Sequence, residues 1–207
     1  MNGSLTEARL LVAVEHLSGL DPDLARIAAT LGPPPLWARE PGFPTLVLII
    51  LEQQVSLASA RAAFDRLRLA ASPLTPASLL SLDDETLRAI GFSRQKARYC
   101  RLLAQALLEG ELDLEELARQ DDNTARTELL KRKGIGAWTT DIYLLMCLCR
   151  PDIWPVGDLA LQVAVQEIKQ LPTRPTPVEM EAIGAPWRPW RAVAARLLWH
   201  YYLNGRN

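Results

Sequence analysis

Residues 131–158 read KRKGIGAWTTDIYLLMCLCRPDIWPVGD, and two groups within them could do chemistry. The first is Gly134-Ile135-Gly136, directly after Lys131, Arg132 and Lys133. Glycines release the backbone from the restriction a Cβ imposes. Amides at the start of a following helix can then converge on a point outside the protein and hold an anion such as a phosphodiester oxygen. Ile135 would plug the turn into the core. The same spacing also suits a plain corner between two helices, and the three preceding bases tilt the reading toward phosphate. Lys133, Gly134, Gly136 and Ala137 are the candidate phosphate contacts. The second group is Asp158, a carboxylate that follows Pro155-Val-Gly and opens an apolar helical stretch. Its ordinary role is a helix N-cap, contributing about 1 kcal/mol.

Few other residues compete for a chemical role. His16 and His200 are isolated, with no Ser/His/Asp set around them. Cys100, Cys147 and Cys149 are too few for a disulfide framework and suit a reducing compartment. Cys147-x-Cys149 lies in a stretch expected to be a buried helix, which favours burial over metal binding.

At 207 residues, 49% hydrophobic and 23% charged, the chain suits one or two globular domains with a real core. Its longest strongly apolar run, Ile142 to Cys149, is far too short to span a bilayer, and no membrane partner is expected. The formal net charge of −1 argues mildly against a nucleic-acid partner, but the charges are segregated. Residues 109–122 hold seven acids against one base, Arg119. Arg94, Lys96, Arg98 and Arg101 stand without an acid among them, and no acid follows Ala182, a stretch carrying Arg188, Arg191, Arg196 and Arg206.

The patterning is helical throughout and predicts an all-α chain. Short amphipathic helices are expected over Leu5–Leu17 and Asp21–Leu31, then Pro33-Pro34-Pro35 and Pro41-Gly42 as a linker. Thr45–Ala70 reads as one long helix whose inward stripe is interrupted by Gln54. A short helix at Asp83/Asp84 should end at Gly91, and Ser93 should cap a helix over Arg94–Leu108. Another runs from Asn123 or Thr124 to Lys131. Ala137–Cys149 reads as an all-round apolar core helix. Asp158 opens the next, and Pro189 the last, which ends near Asn204-Gly205.

The stretch from Leu130 through Gly134-Ile-Gly-Ala-Trp-Thr-Thr140, followed by Pro151-Asp-Ile-Trp-Pro-Val-Gly-Asp158, resembles the helix-hairpin-helix plus Gly/Pro…Asp signature of the DNA glycosylase superfamily. Within it the 3-methyladenine DNA glycosylase II branch is most similar, supported by Gln53-Gln54-Val55-Ser56, Gly91-Phe-Ser-Arg-Gln-Lys96 and Trp187-Arg-Pro-Trp-Arg191 with Trp199. The resemblance covers about Leu5 to Gly205. It departs at Lys133, where the family hairpin often has proline.

The resemblance implies two helical subdomains flanking a DNA-binding cleft, about 43–150 for one and 1–42 plus 151–207 for the other. It also implies a function: removal of alkylated purines (3-methyladenine, 7-methylguanine) from double-stranded DNA by base flipping. Cleaving an N-glycosidic bond develops oxocarbenium character on the sugar, which a nearby anion stabilises. A purine alkylated at N3 or N7 is already cationic, so one carboxylate suffices, and the resemblance assigns that role to Asp158. Strand-cleaving relatives carry a nucleophilic lysine two residues past the hairpin's last glycine; Trp138 stands there, implying a monofunctional enzyme. Trp138 and Trp199 are implied as faces for a flipped cationic base, with Ile142 at a third pocket position. Gln54, or second Gln53, is implied as the wedge that fills the hole in the duplex, and Ser93, Arg94 and Lys96 as backbone contacts.

No cysteine follows Cys149, so no iron–sulfur cluster is expected. A Na or K ion is implied at the main-chain carbonyls of Leu130, Arg132 and Ile135, with no cofactor otherwise. The chain is expected to act as a monomer on DNA, in the cytoplasm and nucleoid of a bacterium or the nucleus of a eukaryote. Deaminated or oxidised purines as substrates, or a non-catalytic DNA-binding module, are the alternatives.

Overall fold

The computed structural model describes residues 3–205; Arg206 of the C-terminal basic run lies outside them. Every regular element among the described residues is helical. They form two compact units, one of residues 39–143 and one of residues up to Ala38 with those from Leu144 onward. The second junction was expected near 150 and falls at 143/144, inside a π-helical turn, Tyr143–Cys147. No helix among the described residues is long and apolar enough to cross a membrane.

The terminal unit begins with α1 (Glu7–Leu20), capped by Thr6, and α2 (Pro22–Leu31). Asp21 caps α2 by accepting from the amides of Asp23 and Leu24, and Pro22 needs no such acceptor.

The middle unit holds α3 (Phe43–Glu52) and α4 (Leu57–Ala70), where the sequence suggested one long helix. The break has a local cause. Ser56 caps α4 by accepting from the Ser59 amide, and Gln54 takes a left-handed φ of 57°. Next come α5 (Pro76–Leu80), α6 (Asp84–Ile90) and α7 (Arg94–Leu108). Gly91, at φ 111°, ends α6 and Ser93 caps α7, both as expected. Then follow α8 (Leu114–Arg119), α9 (Asp122–Leu130) and α10 (Ala137–Ile142). α10 does not run to Cys149 as one α-helix: it loosens into the π turn, and Cys149 leaves it at φ 51°.

The terminal unit resumes with α11 (Leu159–Ile168), α12 (Pro177–Gly184), a 3-10 turn Ala185–Trp187, and α13 (Arg191–Asn204). α13 is buried at every position from Arg191 to Trp199. Two polar nodes brace this unit. Asp21 accepts from Lys169 Nζ at 2.8 and 2.9 Å and from Trp187 Nε1 at 2.9 Å. Arg196 is fully buried, yet its guanidinium donates to the carbonyls of Leu36, Ala192 and Leu145 at 2.7–2.9 Å. Burial alone would make such a charge costly, and the three carbonyls offset that. Its pKa is lowered to about 10 by the same burial.

Candidate functional site

The hairpin joins α9 to α10. The Arg132 amide donates to Leu129 O and the Ile135 amide to Arg132 O, both at 3.0 Å, so the chain reverses within a few residues. Ile135 is buried beneath the turn, as its spacing implied.

The two glycines serve different ends. Gly134 has φ 93°, and a Cβ there would sit 2.2 Å from Cγ of Tyr99, so both backbone and packing demand glycine. Gly136 has φ −94° and nothing within 4 Å of a Cβ position, so the fold itself does not need a glycine there. It is the N-cap of α10, and no side chain caps that helix. A bare Gly136 leaves the first amides of α10 approachable from outside.

Of the three bases, Lys133 is exposed and makes no ion pair among the described residues. Lys131 pairs with Glu128 at 2.5 Å and Arg132 with Glu111 at 2.7 Å, so local acids already engage these two. The carbonyls of Leu130 and Ile135 accept no hydrogen bond among the described residues, and that of Arg132 accepts one. With no carboxylate among them, this oxygen set fits a monovalent cation better than a harder divalent one.

Beside the hairpin lies the turn between α3 and α4. Gln53 Nε2 donates to Gly134 O at 2.9 Å and to Thr139 Oγ1 at 2.8 Å. Gln53 thus staples this turn to the hairpin, which removes it as the second choice of wedge. Gln54 is exposed in its left-handed conformation, a strain of about 1–2 kcal/mol for a non-glycine residue. Exposed Val55 and Leu57 flank it.

Lys96 also departs from expectation. Its Nζ donates to Leu51 O at 2.7 Å, holding the last turn of α3, and burial lowers its pKa. Ser93 Oγ accepts the Lys96 amide, and Ser93 and Arg94 are exposed at the start of α7. Hairpin, Gln54 turn and α7 start are therefore contiguous within the middle unit. Trp138 is half-buried on α10, while Ile142 is 3% exposed and offers no open face. Asp141, buried on the same helix, is paired with Arg126.

In the terminal unit Asp158 is 8% exposed and caps α11. Its Oδ1 accepts the Leu161 amide at 3.0 Å and Trp199 Nε1 at 3.1 Å. The N-cap reading is thus correct as far as it goes, and the structure adds a second donor. Trp199, named in the sequence for its ring face, also fixes the carboxylate through its N–H. Among the described residues no group of three His, Cys, Asp or Glu could hold a metal ion. The Cys100 thiol is pushed up to about 12 by burial, which makes it a poor nucleophile.

Sequence reasoning missed how the Trp187–Arg191 block works. Trp187 binds Asp21, and Arg191 binds both Asp152 carboxylate oxygens and Glu181. The motif holds the entry to α13, the helix that delivers Trp199. Arg196 within α13 and Lys169 at the end of α11 carried no signal beyond being charged residues in apolar stretches.

A family model described as "HhH-GPD superfamily base excision DNA repair protein" matches residues 47–189, most of the chain, from within α3 to Pro189. The chain belongs to the HhH-GPD superfamily. Within it, the chain falls with the 3-methyladenine DNA glycosylases. DNA-3-methyladenine glycosylase 1 of Schizosaccharomyces pombe is 30% identical over 203 residues, covering 95% of this chain and 87% of that protein. A solved S. pombe 3-methyladenine DNA glycosylase, in complex with abasic DNA, superposes with a TM-score of 0.80 at 28% identity, covering 90% of this chain and 94% of that one. A DNA-3-methyladenine glycosidase structure from Bacillus halodurans gives a TM-score of 0.78 at 27% identity, over 99% and 94%. This HhH-GPD chain is a DNA-binding glycosylase of base excision repair.

Proposed function

We propose that this protein is a monofunctional glycosylase that removes alkylated purines of the 3-methyladenine and 7-methylguanine type from double-stranded DNA. The observation that carries the reading is Asp158: a buried carboxylate at a helix start, held by the Leu161 amide and the Trp199 indole. Two fixed donors hold one oxygen in place before substrate arrives, and such preorganisation is what stabilises a developing positive charge.

A purine alkylated at N3 or N7 carries a formal positive charge. Breaking its N-glycosidic bond sends the bonding electrons to the base, which departs neutral. The positive charge passes to the sugar, opposite Asp158. Water adds to the sugar carbon, loses a proton, and leaves an abasic site. No protein acid is needed for the leaving group, so the single carboxylate matches a cationic base better than a neutral one.

The position that would carry a Schiff-base lysine is Trp138, which supports hydrolysis without strand cleavage. Half-buried Trp138 supplies an electron-rich face for a flipped base, and buried Trp199 serves through the indole N–H it gives to Asp158. The bare amides of α10 with Lys133 grip one phosphate, and Gln54 enters the vacated stack. A Na or K ion on the carbonyls of Leu130, Arg132 and Ile135 would add positive charge behind that phosphate. The reading places the protein as a monomer wherever its host keeps DNA, the bacterial nucleoid or the eukaryotic nucleus.

Incubating the protein with methylated duplex and identifying released bases by chromatography tests this directly. Release of 3-methyladenine and 7-methylguanine, with abasic sites uncut until alkali and no adduct trapped by borohydride, is the expected result. No release from methylated duplex, with release of hypoxanthine or oxidised purines from duplexes that carry them, would overturn the substrate class, and a trapped adduct would overturn hydrolysis.

A further inference from the structure

The middle unit carries a basic groove that shares Arg94 with the backbone contacts expected at the start of α7 and extends beyond them. Between α6 and α7 lies a groove of about 380 Å3 whose rim bears Arg88, Arg94, Arg98 and Arg101. The one carboxylate in its lining, Asp84, accepts from Arg101 at 3.0 Å, and Arg101 also holds the carbonyl of Leu82. Arg88, Arg94 and Arg98 are exposed, and their guanidinium groups make no ion pair or hydrogen bond among the described residues. Buried Leu87 and Phe92 form an apolar floor, so the guanidinium stems lie on a firm surface.

Three unengaged guanidiniums on one groove form an anion-binding surface, and arginine's planar fork matches phosphate oxygens in pairs. Their placement selects the kind of anion. Arg94, Arg98 and Arg101 recur at helical spacing on one face of α7, so Arg94 and Arg98 stand roughly 6 Å apart along the axis. Arg88 faces them from α6. A linear array suits a chain of phosphates rather than a single small anion.

The array also starts where the DNA-binding surface ends. The first turn of α7 is fixed to the end of α3 by Lys96, and the adjoining Gln53 is fixed to the hairpin. We propose that the α6–α7 groove is a second phosphate track, gripping the duplex backbone beyond the segment held by the hairpin. The proposal rests on the DNA-glycosylase reading for its partner, and it adds a surface that the hairpin and pocket do not include. Because it reads only backbone, the track acts equally on damaged and undamaged duplex, as a searching enzyme requires.

The test is binding of an undamaged duplex, followed by fluorescence anisotropy from low to moderate salt. Every phosphate that a variant no longer neutralises flattens the slope of log K against log salt by about 0.9. Arg88→Gln and Arg98→Gln should each flatten it by that amount, and the double variant by about twice as much. Arg98→Lys should keep the slope, since charge rather than fork geometry sets it. Melting curves should match the unaltered protein, because these side chains hold nothing in the fold. Two variants on different helices guard against one that fails to fold.

An unchanged slope and affinity in the folded double variant would overturn the proposal. So would loss of binding to an acidic peptide with DNA binding intact, which would assign the groove to a protein. Undamaged DNA needs no excision, so failure of base release by the unaltered protein would count against the glycosylase reading and leave this measurement standing.

Discussion

Gly136→Asp should raise the stability of the protein while weakening its hold on DNA. The residue has φ −94° and ψ −177°, the extended conformation that N-cap residues adopt, and no atom lies within 4 Å of the new Cβ. No side chain caps α10 in the unaltered protein. An aspartate there can accept the amides of Trp138 or Thr139, stabilising the helix start by a few tenths of a kcal/mol relative to glycine. That corresponds to a melting temperature raised by about 1–2 °C at most. Those amides are the ones a phosphate is expected to use. Losing one hydrogen bond to a charged group removes about 1.5–3 kcal/mol, and the carboxylate adds repulsion. The dissociation constant should therefore rise at least about 10- to 100-fold, equally for alkylated and undamaged duplex. Thermal melting and fluorescence anisotropy on the same sample measure both effects. Unchanged DNA binding in a stable Gly136→Asp protein would refute phosphate binding at the hairpin. A protein that unfolds would refute the geometry assigned to Gly136.

Gly134→Ala should do the reverse of a stable variant: positive φ plus a Cβ 2.2 Å from the Tyr99 ring should cost about 2–5 kcal/mol, read as a lowered denaturant midpoint. A midpoint equal to that of the unaltered protein would mean the hairpin backbone is placed wrongly. Trp199→Phe keeps an aromatic face but removes the donor to Asp158, so excision should fall about 10-fold or more with the fold intact; full activity would return Trp199 to a purely stacking role. Asp21→Asn should destabilise the terminal unit by about 1–3 kcal/mol, since it leaves Trp187 and partly exposed Lys169 facing a neutral amide while Lys169 keeps Asp23. Burial raises the Asp21 pKa, but hydrogen bonds from Lys169 and Trp187 outweigh it and the net shift is downward. Its stabilising share is therefore present above the ordinary carboxylate range and lost as pH falls through the lowered value. The unaltered protein should lose stability on acidification through that window, and Asp21→Asn should lose less.

The helical architecture was legible because its signals are local. Ser93 caps α7, Gly91 ends α6 and Asp158 opens α11 where side-chain capping and backbone freedom dictate. The break between α3 and α4 was not legible, since LIILEQQVSLASARAAFDRL keeps helical spacing across it. The Ser56 cap and the left-handed Gln54 make the break, and Gln53 secures it by reaching Gly134 and Thr139, far away in sequence. The short helices α5, α8 and α12 begin with Thr75, Asp113 and Thr176 caps, but each is too short to show a full period. In the site, Asp158 was identified by its place in a motif. The roles of Gln53, Lys96 and Trp199 depend on hydrogen bonds to residues at least 41 positions away, which no reading of spacing supplies.

Asp158→Asn tests the central claim most directly, because the side chain keeps its size and one oxygen to accept the Leu161 amide and the Trp199 indole. The variant should melt like the unaltered protein and bind alkylated duplex with similar affinity. Single-turnover release of 3-methyladenine should fall by about two to four orders of magnitude, the loss expected when the charge facing the sugar cation is removed. Release at the unaltered rate by a folded Asp158→Asn protein would contradict the assignment of Asp158 as the group that stabilises the departing sugar.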